Sequence, residues 1–286
     1  MIEYDYDARA KEPVTACNLC GGTDFAELSR RDRYGYEQPL LMCRRCGLGF
    51  LSPRLTPVEY GRFYEDVYRL LVSDYHGRRI DAETVQDDQR GYAAELVEFL
   101  RANLSGPPRA VLDVGGSTGI VAGAVRAAFG AQATVLDPAP AELEVAAAAG
   151  METIAGFAED YDPGGRRWDL VLLCQTIDHL LDVRATLESM RRMTAEDGHA
   201  FVDVLDLLIA ARKHGTVEGA AKIDHPYYLT HGTATAFFLR AGYEPVADRL
   251  SGDGHWGFLL RPADAREPEW EALSRHAAAM IEELSV

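Results

Sequence analysis

One stretch constrains the fold more than any other part of the chain: Val111-Leu-Asp-Val-Gly-Gly-Ser-Thr-Gly119. Its apolar residues predict a buried strand, its glycines predict a tight turn, and the alanine-rich segment that follows predicts a helix. A glycine turn lets backbone N–H groups approach a ligand, and the helix start adds a partial positive charge. Asp137 ends the next predicted strand, where a carboxylate can accept both hydroxyls of a ribose. The sequence therefore predicts a site for a nucleoside cofactor.

The order of residues in this stretch distinguishes two classes of cofactor. A dinucleotide-binding fingerprint reads G-x-G-x-x-G, but here Asp113 is followed by Gly115 and then by Gly119. The stretch instead resembles the first motif of class I S-adenosylmethionine-dependent methyltransferases, acidic-x-Gly-x-Gly-x-Gly, with Ser117 at the middle glycine. An ordinary strand-to-helix turn is the alternative interpretation. The resemblance implies that these residues line the cofactor site: Asp113, Gly115, Gly116, Ser117, Gly119, Asp137 and Pro138.

Length and charge narrow the classes of function. The 286 residues are enough for one large or two small domains with a buried core. The first residues lack the basic and then apolar order of a signal peptide, and no apolar run approaches the roughly 20 residues that span a bilayer. The net charge of −16 argues against a general affinity for nucleic acid, because phosphate contacts need a basic surface. We therefore expect a cytoplasmic protein that acts on a small molecule.

Four of the five cysteines form two C-x-x-C pairs near the N-terminus. Cys17 and Cys20 are separated from Cys43 and Cys46 by 22 residues, and a glycine follows each pair. Four thiolates on two tight turns are typical of a closed, structural zinc site, which leaves no position open for catalysis. The sequence therefore predicts a small zinc-ribbon domain over residues 1–55.

A helical connector is predicted for residues 56–108. Thr56-Pro-Val-Glu59 has the order of a helix start with Thr as N-cap, and a second helix is expected from Gln89 to about Asn103. Tyrosines recur along the connector at helical spacing, and a buried tyrosine hydroxyl needs a partner. Core packing explains most such residues, but a helix between two domains can also line the cleft between them. Three tyrosines are therefore candidates for contact with substrate or cofactor: Tyr64, Tyr68 and Tyr75.

Seven strands are predicted in residues 109–262, and helices alternate with the first five. This alternation predicts a parallel sheet, and the short turn Ser251-Gly-Asp-Gly254 predicts an antiparallel hairpin between the last two strands. The arrangement resembles the seven-stranded, Rossmann-like α/β sheet of class I methyltransferases, in which the last strand inserts antiparallel. The predicted strands are Arg109–Val114, Ala133–Asp137, Glu152–Ala155, Trp168–Cys174, His199–Leu205, Tyr243–Arg249 and His255–Arg261.

Ligands bind such sheets at the carboxyl ends of the strands. After the third strand, the methyltransferase resemblance implies an acidic contact to adenine. Phe157 occupies the usual position and can only stack, so Glu159 is the candidate. After the fourth strand, Gln175 is the candidate contact near the methyl donor. His179 is expected to pack or to cap the next helix, and Cys174 is expected to lie in the core.

A polar loop follows the fifth strand: Lys222-Ile-Asp-His-Pro-Tyr-Tyr-Leu-Thr230. Histidine titrates near neutral pH, so His225 beside Asp224 is a candidate general base whose charge the carboxylate supports. A surface histidine next to a helix-capping loop is the alternative interpretation. The next helix is predicted from Thr230 to Ala241.

The cysteine pairs, the tyrosine-bearing connector, the cofactor sheet and this loop together resemble the zinc-containing sugar C-methyltransferases, which act on nucleotide-linked keto-deoxysugars. The similarity covers residues 14–262. The loop of that family usually reads Glu-His-x-x-Tyr, and the resemblance implies proton abstraction next to a ketone by Asp224, His225 and Tyr228. The family's C-terminal domain is not expected here, since the only further helix is predicted over Glu267–Leu284. That helix is expected to pack on the sheet or to pair two subunits in a homodimer.

These expectations combine into direct methyl transfer from S-adenosylmethionine to a small acceptor, such as a sugar or another natural-product intermediate. His225, supported by Asp224, would take a proton from a hydroxyl or from a carbon next to a carbonyl. A tyrosine, Tyr64, Tyr68 or Tyr228, would steady the developing oxyanion. Zinc would hold the N-terminal domain and take no part in the chemistry.

Three other classes of function stay open. A zinc-finger RNA methyltransferase would share the layout but should carry a basic stripe, which the acidic composition disfavours. A catalytically inactive binding protein with the same fold would fail to bind S-adenosylmethionine. A nucleotide-sugar or NAD-dependent enzyme would bind a dinucleotide instead.

Overall fold

The N-terminal segment turns back on itself at each of its two cysteine pairs. The computed structural model describes residues 4–80 and 82–284. Gly21 and Gly47 each donate a 2.8 Å backbone hydrogen bond to the first cysteine of the preceding pair. Their φ angles of 70° and 80° lie in the left-handed region, which favours glycine. The strands of this segment are β1 (Lys11–Glu12), β2 (Phe25–Arg31), β3 (Glu37–Cys43), β4 (Gly49–Leu51) and β5 (Arg54–Leu55).

Three helices connect this segment to the main sheet. The first begins as predicted, because Thr56 Oγ accepts a hydrogen bond from the backbone N–H of Glu59. A separate second helix ends at Gly77, and the third starts at Ala82 rather than at Gln89. The early turns of that third helix contain few apolar residues, so periodicity reveals only its later part. The helices are α1 (Pro57–Asp66), α2 (Tyr68–His76) and α3 (Ala82–Asn103).

The rest of the chain alternates strands and helices, as predicted. The fifth strand begins at Thr194, five residues before the predicted start at His199, and its register with the fourth strand shifts between those two residues. In chain order the elements are β6 (Ala110–Val114), α4 (Ile120–Phe129), β7 (Gln132–Asp137), α5 (Pro140–Ala148), β8 (Glu152–Ala155), β9 (Trp168–Leu173), a 3₁₀ turn (Ile177–His179), α6 (Val183–Met193), β10 (Thr194–Leu205), α7 (Leu207–His214), α8 (Val217–Ala220), β11 (Tyr227–Tyr228), α9 (His231–Arg240), β12 (Tyr243–Leu250), β13 (His255–Pro262) and α10 (Trp270–Leu284).

The main sheet has seven strands in the order β12-β13-β10-β9-β6-β7-β8. The five strands from β6 to β10 pair in parallel, whereas β13 pairs antiparallel with both β10 and β12. This confirms the seven-stranded, Rossmann-like sheet with an antiparallel last strand. The order reverses beside β6, and such a switch point creates a ligand-binding crevice at the carboxyl ends of the strands.

Helices cover both faces of this sheet. On one face, Leu170, Leu172 and Phe201 are fully buried against α3 and α4. On the other face, Val171 and Leu173 pack with α6 and α9, and this core continues into the cysteine-bearing segment. Burial of apolar side chains on both faces explains why the central strands are almost uniformly apolar.

A second sheet joins the N-terminal segment to the polar loop after β10. Its four strands have the order β11-β4-β3-β2, so one strand comes from Tyr227–Tyr228. Tyr227 pairs with Phe50, and Leu51 N–H donates a 3.0 Å hydrogen bond to the carbonyl of Pro226. The cysteine-bearing segment and the loop therefore form one structural unit, although the sequence places them far apart.

The last helix, α10, packs within the chain. Leu273, Ala277 and Met280 are buried, and Met280 belongs to the apolar cluster that contains Leu40 and Met42 of β3. An added Cβ on Gly47 would lie 2.5 Å from the terminal methyl of Met280. The helix thus covers the N-terminal sheet through Met280, while Leu273 joins the core of the main sheet. Within the described ranges, no helix is both long and apolar enough to cross a membrane.

Candidate active site

The glycine turn after β6 forms an open cradle at the start of α4. Gly115 and Gly119 have φ of 68° and 77°, and Ser117 also adopts the left-handed region at 49°. Gly119 is the N-cap of α4 and no side chain caps this helix, so the N–H groups of its first turn are open to a ligand except that of Ala122, which bonds the Asp113 carboxyl. Gly116 leaves room for the Asp113 carboxyl, because an added Cβ would lie 2.7 Å from Asp113 Cγ. The cradle fits a small polar group better than a side chain.

Asp137 holds this turn from the neighbouring strand. Its Oδ2 accepts a 2.9 Å hydrogen bond from Ser117 N–H, and its Oδ1 accepts one of 2.8 Å from Ala139 N–H. Ser117 Oγ also donates to Glu142 at 3.1 Å. Burial raises the pKa of Asp137. Each carboxylate oxygen still has a lone pair, so contact with ribose hydroxyls is compatible with these bonds.

Asp113 lies at the floor of the cradle and is only 1% exposed. Its Oδ1 has no hydrogen-bond partner among the residues that the structure describes. Burial raises the pKa of this carboxyl to about 7. A buried acceptor without a partner is unusual, and a bound cofactor would supply the missing donor.

The cofactor candidates Pro138 and Glu159, and the neighbouring Phe157, differ in exposure. Phe157 is 57% exposed, so its ring has a free face, and Glu159 next to it is half-buried. Pro138 is exposed at the end of β7. These positions frame the cradle on its β7 and β8 side, where an adenine would lie in the proposed orientation.

The segment after β9 links the cradle to the polar loop. An added Cβ on Gly115 would lie 2.8 Å from Thr176 Cγ2, so the two segments are in close contact. Gln175, exposed and at φ 51°, donates its backbone N–H to Asp203 Oδ1 at 2.5 Å. Cys174 is half-buried and packs against the α3 and α4 face, as expected of a core neighbour.

His225 lies between acidic and basic partners and is 3% exposed. Its Nδ1 lies 2.8 Å from Asp178 Oδ2, and its Nε2 lies 2.9 Å from Lys222 Nζ. Asp224, the expected partner, is farther away, with Oδ2 at 3.5 Å from Nε2. The carboxylate that directly supports the imidazole is therefore Asp178, and Asp224 is a secondary neighbour.

Burial determines the charge state of this group. It lowers the pKa of His225 to about 4; Asp178 opposes the shift and Lys222 adds to it. Burial also disfavours the charged form of Asp178, but the His225 and His179 imidazoles hold its pKa well below the usual range. At neutral pH, His225 is therefore neutral. Its Nε2 lone pair faces the Lys222 ammonium, which leaves the proton on Nδ1, 2.8 Å from Asp178 Oδ2.

Asp178, His179 and His225 also place potential metal-ligand atoms within 4.8 Å of one another. A cation there would compete with the Lys222 ammonium, which already contacts the imidazole. The contacts within the group therefore favour proton transfer over metal binding.

His179 packs against His225, with ring centroids 4.6 Å apart. The cap of the next helix is Asp182, which accepts a 3.0 Å hydrogen bond from Ala185 N–H, so of the two roles expected for His179, packing and capping, the structure shows packing. Tyr64 Oη lies 2.7 Å from His179 Nδ1 and 3.1 Å from the Asp224 carbonyl.

The other candidate tyrosines lie in three different environments. Tyr68 is half-buried, with its ring 5.3 Å from that of Tyr64. Tyr228 is buried, and its hydroxyl bonds to the backbone N–H and carbonyl of Lys222 at 2.6 and 3.0 Å. Tyr75 contacts Tyr34, with ring centroids 5.3 Å apart, and lies under the Arg33 guanidinium. The structure thus brings Tyr64 and Tyr68 to the histidine pair, whereas Tyr228 shapes the loop.

The N-terminal segment holds the His225 loop from two sides. On one side, β11 pairs with β4. On the other, Asp32 Oδ2 accepts a 3.1 Å hydrogen bond from Ile223 N–H, and Arg33 N–H donates to the Ala221 carbonyl at 2.9 Å. Asp32 Oδ1 binds Tyr34 N–H and Tyr36 N–H of its own turn.

The four paired cysteines converge on one point. Sγ atoms of Cys17 and Cys46, and of Cys20 and Cys43, lie 3.5 Å apart. This is far beyond the ~2.05 Å of a disulfide and close to the ~3.8 Å between sulfurs of a tetrahedral zinc site with bonds of about 2.3 Å. All four Sγ atoms lie within 4.8 Å of one another. The donor set therefore fits a structural zinc ion.

Two residues at the centre of this site received no role from the sequence. Asp178 stands beside His179 in the segment after the fourth strand, and Lys222 opens the polar loop. The one feature of the sequence that could have identified them is their position after neighbouring strands, at the carboxyl ends where ligands bind. Only the parallel pairing of β9 with β10 shows that the two segments meet.

Comparison with known proteins supports this description of the fold. Residues 85–248 match the family model described as a methyltransferase domain. The Burkholderia thailandensis 1,6-didemethyltoxoflavin-N1-methyltransferase, solved with bound 1,6-didemethyltoxoflavin and S-adenosylhomocysteine, is 18% identical, with a TM-score of 0.54 over 80% of this chain and 96% of that one.

Two further solved structures are similar. The mitomycin 7-O-methyltransferase is 17% identical, with a TM-score of 0.53 over 71% of this chain and 60% of its own. A protein from Pyrococcus horikoshii OT3 is 15% identical, with a TM-score of 0.53 over 61% of this chain and 91% of its own. No curated protein matches the sequence. At these identities the similar structures show the fold alone.

Proposed function

Because the chain belongs to the methyltransferase domain family, we propose that it transfers a methyl group from S-adenosylmethionine to a small acceptor, with His225 as the general base. One observation carries this proposal. The segment after β9 contacts the glycine cradle through Thr176 and contacts His225 through Asp178, two residues later. The cofactor cradle and the basic imidazole are therefore coupled by a single short turn.

The cofactor would occupy the cradle after β6. In our proposal, the backbone of Gly115, Gly116, Ser117 and Gly119 surrounds its methionine part, Asp137 accepts from the ribose, and Phe157 stacks on the adenine. Glu159 and Gln175 complete the set at the carboxyl ends of β8 and β9. Asp113, whose Oδ1 has no partner within the described ranges, fits a cofactor donor. When bound, S-adenosylmethionine supplies a methyl group on a positively charged sulfur, and the acceptor's electron pair displaces S-adenosylhomocysteine.

His225 would prepare the acceptor for this attack. Once the Lys222 ammonium turns away from it, the neutral Nε2 has the lone pair that takes a proton from a hydroxyl or from a carbon next to a carbonyl, while Asp178 supports the imidazolium that forms. Lys222 would then face the oxyanion of the deprotonated acceptor, because its ammonium lies next to the same nitrogen. Tyr64 and Tyr68 flank the pair, and Asp224 adds negative charge at 3.5 Å.

A sugar or a comparable natural-product intermediate is the acceptor class that we favour, by C- or O-methylation. The matching loop residues Asp224, His225 and Tyr228 support this choice, and so does the size of the acceptors named for the two methyltransferases of similar fold. The acidic net charge of −16 disfavours an RNA acceptor. A nucleotide-linked sugar, a homodimer and a cytoplasmic location remain parts of this proposal.

Zinc would be structural. The closed set of Cys17, Cys20, Cys43 and Cys46 would hold the ion, and its contribution is to fold the segment that anchors the His225 loop.

Calorimetric titration tests the proposed function directly. The purified protein should bind S-adenosylmethionine and S-adenosylhomocysteine at micromolar concentration, with NAD as the control that does not bind. Binding of NAD alone would favour a dinucleotide enzyme. Binding of none of the three would leave only a catalytically inactive protein that has kept the fold.

A further inference from the structure

A cavity of about 640 Å³ lies between α3 and the β12–β13 hairpin, on the face of the sheet covered by α3 and α4. Gln175 lines it, so the cavity reaches the carboxyl end of β9, next to the proposed methyl donor. Its polar lining includes Tyr92, Asp203, Arg249 and His255. None of these four residues takes part in the mechanism proposed above.

Asp203 is the buried acidic group of this cavity, with only 2% of its surface exposed. Its Oδ1 accepts the Gln175 N–H, whereas its Oδ2 has no hydrogen-bond partner in the part of the chain that the structure describes. Tyr92 lines the same cavity, and its hydroxyl lies beside the Asp203 carboxylate without forming an aligned hydrogen bond with it. Buried polar atoms are nearly always paired, so a buried carboxylate oxygen without an aligned partner on a cavity wall indicates a missing ligand.

The charged groups that line the cavity indicate the sign of the charge on that ligand. Arg249 is already engaged, because its guanidinium donates to the Glu95 carbonyl at 2.9 Å and lies over the Phe99 ring. His255 Nδ1 lies 3.0 Å from Asp253 Oδ2. The remaining acidic groups on the wall and rim outnumber these two basic ones: Asp87, Asp88, Glu95 and Asp203. The cavity therefore favours a cation.

We propose that this cavity binds a primary ammonium group, with Asp203 Oδ2 as its charged acceptor. The Tyr92 hydroxyl and the Gln175 side-chain oxygen are further acceptors on the same lining. A divalent metal ion fits less well, because it needs six or more oxygen ligands and the buried lining offers one free carboxylate oxygen. An ammonium needs only two or three acceptors.

Two molecules can present such an ammonium. One is the cofactor itself, through the α-ammonium of its methionine part, and this source rests on the proposed function. The other is an acceptor molecule that carries an amine. In either case the Asp203–Gln175 bond links occupancy of the cavity to the turn beside the methyl donor.

The test replaces Asp203 by Asn, which retains the Oδ1 acceptor for Gln175 and removes the charge. S-Adenosylhomocysteine carries the α-ammonium, whereas 5′-methylthioadenosine shares its nucleoside thioether and lacks the amino acid. If the cofactor is the source, Asp203→Asn should lower the affinity for S-adenosylhomocysteine about tenfold and leave the affinity for 5′-methylthioadenosine unchanged. Asp253→Asn, at the exposed rim, is the matched control and should change neither affinity.

A second arm detects an acceptor amine. n-Butylamine should raise the thermal midpoint of the wild-type protein and not that of Asp203→Asn, while n-butanol should raise neither. Tyr92→Phe removes only the hydroxyl and should weaken the same ligand by a smaller factor, which provides an independent test if the Asn variant folds poorly.

The two proposals fail in different ways. If the wild-type protein binds neither nucleoside, the proposed function fails, and the n-butylamine arm still tests the ammonium site. Equal weakening of S-adenosylhomocysteine and 5′-methylthioadenosine binding in Asp203→Asn would show that the carboxylate acts on the nucleoside only through the Gln175 turn, and would exclude the cofactor as the source. The ammonium site itself is overturned if, in addition, n-butylamine shifts the thermal midpoints of the wild type and of Asp203→Asn equally.

Discussion

Tyr227 forms a backbone pair with Phe50, so the loop that carries His225 is a strand of the sheet that the cysteine cluster closes. A metal bound at the cysteines would therefore be mechanically connected to the position of the imidazole. The connection does not involve the glycine cradle, which lies on a different sheet. The cysteine cluster and the cofactor cradle can thus be perturbed separately.

Loss of zinc should impair the chemical step more than cofactor binding. In Cys46→Ser, the N-terminal sheet loses its closed site and the His225 loop loses its anchor, so methyl transfer should fall at least a hundredfold. Affinity for S-adenosylhomocysteine should change less than threefold. Metal analysis should find one zinc ion per wild-type chain. A second ion per chain would indicate an additional metal site at Asp178, His179 and His225. Cys174→Ser, outside the cluster, is the control.

Removal of the imidazole should abolish turnover and spare binding. His225→Gln leaves a side chain of similar size that cannot accept the proton, so kcat should fall about 10²–10⁴-fold. Calorimetry with S-adenosylhomocysteine should be unchanged. Tyr228→Phe is a useful comparison, because that hydroxyl bonds only to the Lys222 backbone in the described structure, and its loss should act on loop stability. Normal turnover in His225→Gln would exclude the residue as the base.

The two carboxylates near His225 should differ in importance. Asp178 is 2.8 Å from Nδ1, whereas Asp224 is 3.5 Å from Nε2. Asp178→Asn removes the charge that supports the imidazolium. The kcat of this variant should be more than tenfold lower than the kcat of Asp224→Asn. Steady-state kinetics of the two variants decides the order. A larger loss in Asp224→Asn would assign the supporting role to the residue beside His225 in sequence.

The ammonium of Lys222 should tune the base. Its positive charge lowers the pKa of His225, so Lys222→Met should raise that pKa and move the acidic limb of kcat/KM to higher pH. The same variant should lower the maximal rate, because the oxyanion loses its cation. Lys222→Arg retains the positive charge, so the acidic limb of its kcat/KM profile should lie at the same pH as in the wild type. An acidic limb that does not move in Lys222→Met would separate Lys222 from the titrating group.

Acid should destabilise the protein partly through His225. The pKa is about 4 in the folded chain and near 6.5 in the unfolded one, so below pH 6.5 protons bind the unfolded chain first. Between pH 6.5 and 5, this site should cost about 2 kcal/mol of unfolding free energy. Urea unfolding at the two pH values should show a smaller loss for His225→Gln than for the wild type. The exposed His276→Gln should behave like the wild type.

Much of the fold was readable because its signals are local. The glycine turn, the apolar strands and the Thr56 cap each depend on a few adjacent residues, and the structure confirms the sheet and the cap. Two kinds of boundary were not readable. α3 begins in a stretch with few apolar residues, and β10 starts before a register shift, so neither shows a clean periodicity.

The candidate site shows the same division. The sequence named His225, Asp224 and the connector tyrosines, since each stands in a recognisable motif. It gave no role to Asp178, Lys222 or Asp203, because nothing in their own segments marks them. Asp178 supports His225 only because β9 and β10 are neighbours, which brings the ends of distant segments together.

By itself, the sequence determined the family, the seven-stranded sheet and the cysteine set that fits zinc, because these follow from local spacing and periodicity. Only the tertiary structure decided which carboxylate faces the imidazole, how its charge is balanced, and that the cysteine segment anchors the loop. Pairing between strands that are distant in sequence is selected by burial over the whole chain, and no local pattern encodes it.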